Sequence, residues 1–193
     1  MKTGELIRYH LSGLTRFEGR QPRQPFWIWV ALVMVLSLAG MFAVMIPVLV
    51  QTFQRVQRFA VEHPDQVTVT EGPGSRSVQI HGYHPELAPD FVLLIGGVGA
   101  VSLVAVSLLA AAVTRRLHDR GKRGWWGLVP LPFLASGLLL MPQLIANGEP
   151  DLGLFALLFV NNLVYIASLI VLVVMLAARG NPHDNRFGPP PPV

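Results

Sequence analysis

TRRLHDRGKRGWWGL, residues 114–128, is the one strongly basic run in the interior of a very apolar chain. Apolar blocks flank it at residues 91–113 and 125–145, and a tryptophan pair closes it. Basic residues between two such blocks stay on the cytoplasmic side of a membrane. The run therefore reads as the short inner connection between two spanning helices.

Working outward, the whole chain repeats this logic. Of its 193 residues, 52% are hydrophobic and 13% charged, against about 25% charged in a soluble domain. The apolar residues gather in four blocks, 26–50, 91–113, 125–145 and 152–178. A helix needs roughly 20 apolar residues to cross a hydrocarbon core of ~30 Å, and each block supplies them. The predicted fold class is an all-α membrane protein, a four-transmembrane-helix bundle. The first block starts only after the basic segment 1–25 and ends without a small-residue cleavage site, so it is a retained helix. There is no cysteine, which excludes disulfides and thiolate metal sites without fixing the compartment.

Charge sets the orientation. With both termini and the central loop on one side, that side holds Lys2, Arg8, Arg16, Arg20, Arg23, Arg115, Arg116, Arg120, Lys122, Arg123, Arg179 and Arg186. The other side holds only Arg55, Arg58 and Arg76. This bias predicts cytoplasmic termini. Trp27, Trp29, Trp125 and Trp126 all fall at that interface, where amphipathic rings settle. The basic pI follows from these topogenic residues and implies no nucleic acid partner.

The remaining segments are read in chain order. In 1–25, Leu6, Ile7, Leu11, Leu14 and Phe17 fall on one helical face, suiting a helix in the headgroup layer or, alternatively, a mobile tail. In the outer loop 51–90, residues 51–62 can continue the first helix, and two alternating β-branched runs around a Gly/Pro turn predict a hairpin. An isolated hairpin is marginal in water, so it should lean on a membrane or a partner. Gly96, Gly97, Gly99 and Ala100 predict close helix approach. Pro130, Pro132 and Pro142 predict a third span that starts irregularly or kinks. A tight outer turn follows at 146–151. Asn161 and Asn162 are expected to bridge helices. No spanning block contains Asp, Glu, Lys, Arg or His, which argues against an ion-coupled pump. The tail 179–193 ends in four consecutive prolines and reads as a polar, polyproline-like extension.

Three segments distant in sequence, 19–27, 115–126 and 185–189, emerge on one membrane face in this topology and can meet. In the central loop Arg115 and Asp119 share a helical face, and so do Arg116 and Arg120. Gly121 suits a left-handed helix end. Asp119 reads as a structural counter-ion, and His118 as a hydrogen-bonding group, since adjacent helical residues point apart. Arg20, Arg23, Arg115, Arg116 and Arg120 are candidates for anionic lipid headgroups, because guanidinium forks clamp phosphate. Against this stands a purely topogenic role. His81 and His84 with Glu86 invite a metal reading but lack a dependable third ligand, so neither metal nor cofactor is assigned. No catalytic motif is present.

The same segments carry a resemblance. Phe17, Gly19, Arg20, Arg23, Phe26 and Trp27 form one motif. Residues 115–121 with Gly124, Trp125 and Trp126 form a second, and Asn185, Arg186, Phe187, Gly188 and Pro189 a third. On these motifs the chain resembles the family called domain of unknown function 805, small bacterial inner-membrane proteins. It departs from that pattern at Pro25, where an acid is common, at Phe187, where Tyr is common, and at Arg123, where Ser is usual. The resemblance implies a four-helix integral membrane protein and supplies no catalytic assignment. The leading expectation is a non-enzymatic accessory or scaffold protein that packs on membrane partners or on copies of itself. The rivals are an oligomeric channel or small-solute transporter, and a lipid-headgroup-modifying enzyme using His118 and Asp119.

Overall fold

The computed structural model describes residues 3–72, 75–82, 84–146 and 151–191. Its helices are α1 (Thr3–Ser12), α2 (Arg23–Glu62), α3 (Phe91–Asp119), α4 (Leu131–Ala146) and α5 (Leu152–Ala177). Strands β1 (Val67–Gly72) and β2 (Ser75–Ile80) form one antiparallel pair. Among the described residues, four stretches, built on α2, α3, α4 and α5, are long and apolar enough to cross a membrane. Large apolar side chains such as Met34, Leu103, Leu139 and Val174 stand exposed along them. A soluble monomer rarely shows so much apolar surface, whereas lipid tails are its natural solvent. The chain is built as a multi-pass membrane protein.

The chain divides into two compact units. The first comprises residues 1–40 and 99–193. Its core gathers Leu6, Phe26, Trp29, Val33, Ala112, Leu117, Leu172 and Leu176. So α1 is a packed helix and not a mobile tail. Leu6 and His10 are its buried residues, while Leu11 and Phe17 are exposed. Trp29 likewise differs from an interfacial anchor. It is 2% exposed and donates its indole N–H to the Leu108 carbonyl at 3.0 Å. The third apolar block is interrupted as its prolines predict. Residues Gly124–Leu128 form a separate 3₁₀ turn, and the α-helix begins at Leu131.

Between α4 and α5, Asn161 donates to the Phe133 carbonyl at 2.9 Å and accepts from the Ser136 hydroxyl at 2.7 Å. Asn162 instead donates to Leu158 of its own helix at 3.1 Å and is exposed. Only the first amide bridges helices, because consecutive helical residues point in different directions. The interior of the predicted turn at 146–151 lies outside the described residues.

The second unit comprises residues 41–98. Here the final part of α2 runs to Glu62, as the sequence suggests. The hairpin pairs Val67 with Ile80, Thr68 with Gln79, Val69 with Val78 and Thr70 with Ser77. Its Pro73–Gly74 turn lies outside the described residues. The chain around the hairpin leans on α2 itself. The Phe59 ring meets His63 at 4.7 Å and His84 at 4.5 Å, and Arg55 donates to the Glu86 carbonyl at 3.2 Å. Gly97 packs against Val44 so closely that a Cβ there would lie 2.4 Å from a valine methyl. The small-residue patch is divided, however. A Cβ on Gly96 would meet nothing within 4 Å among the described residues.

Candidate functional site: a guanidinium clasp around Asp119

The central loop begins as an orderly helix end. The Gly121 N–H bonds the His118 carbonyl at 2.9 Å, and the Lys122 N–H bonds the Leu117 carbonyl at 2.9 Å. Gly121 has φ of 67°. These are the paired bonds and left-handed glycine of a Schellman end. They fix the last turn of α3, and with it the directions of Arg115, Arg116, Asp119 and Arg120.

Each of these arginines donates to backbone carbonyls of another segment. Helix α5 has no basic residue in its last turn, yet the final carbonyls of any helix lack intrahelical partners and carry negative dipole charge. Arg116 donates to Leu176 at 2.9 Å and to Ala178 at 2.6 Å. Arg120 donates to Met175 at 2.9 Å. Two guanidiniums from α3 thus cap α5 from outside. Arg115 does the same for the turn after α1, donating to the Gly13 carbonyl at 2.8 Å and to that of Arg16.

Asp119 sits where these groups converge. Its Oδ1 accepts from Arg20 Nε at 3.0 Å, and its Oδ2 accepts from Arg116. Its backbone carbonyl accepts from the Asn181 N–H at 2.8 Å. Asp119 is 3% exposed and Arg116 1%. Arg20 also reaches into the tail, donating to His183 at 2.9 Å, to Gly188 at 3.2 Å and to Asn181. Gly180 lies so close that a Cβ there would fall 2.0 Å from Asp119 Oδ2. The carboxylate therefore joins α3, the segment before α2 and the tail after α5. Asp119 pairs with Arg116 and Arg20, whereas Arg115, which shares its helical face, turns away toward residues 13–21.

The third motif locks the same joint. Asn185 donates to the His118 carbonyl at 3.1 Å and accepts from the Phe187 N–H at 2.8 Å. The Asn185 and Gly188 backbones bond each other at 2.9 and 3.2 Å, and Gly188 takes φ of 114°. The Phe187 ring stacks on His118 with centroids 3.7 Å apart, and the Arg186 guanidinium lies 4.7 Å from its centroid. The tail is thus a fitted strap up to Gly188 and not a loose extension. Gly19, at φ of 83°, places its carbonyl 3.3 Å from His118 Nδ1. His118 is a joint between first and third motifs, held apart from any pairing with Asp119.

Of the five candidate anion-binding arginines, Arg20, Arg115 and Arg116 are buried and donate to the chain's own carbonyls, to Gln21 and to Asp119. Arg120 is partly exposed and Arg23 exposed. Three guanidiniums against one carboxylate leave an excess of buried positive charge, which carbonyl dipoles offset. Trp125 stacks on Trp126 at 4.5 Å, beyond the clasp, and Trp27 is partly buried at the core's edge. Chemically the clasp can hold segments together. The Nε and both Nη groups of Arg20 and of Arg116 are engaged within the chain.

Sequence reading passed over four participants. Gln21 is fully buried, accepts from Arg115 Nε at 3.3 Å and bonds the Arg115 carbonyl through its N–H at 3.2 Å. Its amide approaches His10 Nε2 at 3.4 Å. His10 stacks flat on Trp29, centroids 4.7 Å apart. Burial lowers its pKa to about 4, the nearby Arg115 charge acting in the same sense, against the Pro25 carbonyl, which favours the proton. Asn181 and Gly180 complete the set. The available signal was position: Gln21 follows Arg20 within the first motif, and Gly180–Asn181 follows the last apolar block.

Elsewhere, His84 hydrogen-bonds Glu86 at 2.9 Å and the His81 carbonyl at 3.0 Å, while His81 bonds Thr68 at 2.8 Å. Tyr83 lies outside the described residues. Among the described residues no three His, Asp or Glu side chains are arranged to hold a metal.

The family described as "Protein of unknown function (DUF805)" matches residues 14–189, a span that includes all three motifs. No curated protein and no solved structure matches the chain.

Proposed function

This chain belongs to the DUF805 family, and from that premise we propose that it is a non-enzymatic accessory or scaffold protein of the bacterial inner membrane. In this reading the termini and the clasp lie in the cytoplasm, and the protein works by packing against a membrane partner. The observation that carries it is the clasp: the buried charged residues of the motifs, Arg20, Arg115, Arg116 and Asp119, are spent on one another, on Gln21 and on backbone carbonyls. Residues that hold a surface rigid suit a platform better than a reaction centre, which needs a group free to give or take a proton.

The lipid-facing cations are then the exposed ones, among them Arg8, Arg16, Arg23, Lys122, Arg123 and Arg179. Each such residue near an anionic leaflet contributes ~1 kcal/mol. They would seat the platform on anionic headgroups.

The test is crosslinking in native membranes followed by purification through a tag. The reading expects one defined membrane-protein partner, or a defined homo-oligomer, and no solute flux from vesicles reconstituted with the protein. Flux above empty vesicles would favour the transporter reading. A folded His118→Ala variant that keeps its partner but loses the cellular function would favour the enzyme.

A further inference from the structure

Within the first unit, α3, α4 and α5 enclose a cavity of about 280 Å³ beneath the Gly124–Leu128 turn. Its walls include Leu109, Val113, Leu134, Tyr165 and Leu169, with Phe17 at its edge. The turn is pressed onto α3. A Cβ on Gly124 would lie 2.5 Å from the Thr114 methyl, and one on Gly127 would lie 2.9 Å from Val113. Gly124 and Gly127 thereby bring the turn's backbone to the cavity's edge.

The cavity is nearly all apolar, and Thr114 and Tyr165 are its hydroxyl-bearing residues. Its volume suits a hydrocarbon chain and not another helix, whose diameter with side chains is ~10–12 Å. The chain next to it is cationic. Lys122 and Arg123 directly precede Gly124, Arg16 directly precedes Phe17, and all three are exposed. An apolar slot with cations at one end has the two-part chemistry of an anionic phospholipid.

We propose that this cavity holds one acyl chain of a single anionic phospholipid, with its headgroup against Lys122, Arg123 and Arg16. The site rests on the membrane reading above and deepens it, adding one stoichiometric lipid to a general surface attraction.

Native mass spectrometry of the detergent-purified full chain, offered phosphatidylglycerol and phosphatidylethanolamine of matched chains, tests this. The wild type should retain one phosphatidylglycerol at least tenfold in preference. Ala110 also lines the cavity, and Ala110→Phe, which fills it, should lower retention of both lipids about tenfold while the melting temperature holds. Lys122→Glu with Arg123→Glu, at exposed positions that fold readily, should erase the preference and leave occupancy by either lipid. Equal retention of the two lipids by the wild type would overturn the proposal, as would unchanged preference in the charge-reversed variant. If phosphatidylglycerol is merely enriched around the protein, without fixed stoichiometry and screened by salt, the site falls and the general reading survives. Absence of any enrichment removes both.

Discussion

At the scale of single residues, Asp119 carries the largest consequence. It is buried, with Arg20 and Arg116 as its partners. Removing one member of a buried ionic group leaves uncompensated charge in a low dielectric and costs about 3–5 kcal/mol. Asp119→Asn should therefore destabilise the detergent-solubilised protein by that order, read as a large drop in the tryptophan-fluorescence melting temperature. Gly180→Ala should also destabilise it, since the new methyl would collide with the same carboxylate. A melt unchanged in both would mean the clasp does not hold the fold.

His10 gives a pH signature. Its pKa falls from 6.5 to about 4 on folding, so between those values the unfolded chain binds the proton that the folded chain refuses. Stability from this residue is complete above pH 6.5 and declines as pH falls toward 4. Its upper limit is about 3 kcal/mol, at 1.36 kcal/mol per pKa unit. His10→Phe, which can keep the stack on Trp29, should flatten the slope of stability between pH 4 and 6.5. An equally steep slope in that variant would assign it to other groups.

At the scale of elements, α5 supplies the instructive case. It ends without basic residues of its own, and its last carbonyls are capped from α3. That pairing was not legible in the sequence. Spacing says which residues share a face of one helix, but not which carbonyls of a distant helix await them. This is why Arg115 and Asp119, four apart on one face, find different partners, and why guanidiniums read as lipid clamps turn inward. The four apolar blocks, the Gly121 helix end and the presence of the hairpin were legible. Each depends on local periodicity or turn chemistry.

The two asparagines separate along the same line. Asn161 bridges α4 and α5, while Asn162 serves its own helix. Asn161→Leu should cost about 0.6–1.7 kcal/mol, the range for interhelical hydrogen bonds in bilayers, and Asn162→Leu close to nothing. Steric-trap or SDS-unfolding measurements in bicelles read the difference. Equal effects would show that the bridge contributes nothing specific.

At the scale of the whole molecule, the account depends on three segments meeting on one side of a membrane. The chain has no cysteine, so single cysteines can be placed at will: Glu18→Cys in the first segment, Lys122→Cys in the central loop, Asp184→Cys in the strap, and Thr70→Cys in the hairpin. All four positions are exposed. The most direct measurement is labelling with a membrane-impermeant maleimide in intact cells with a permeabilised outer membrane. The account predicts label at position 70 and none at 18, 122 or 184 until the inner membrane is opened. Label at any of those three positions in unopened cells would contradict it.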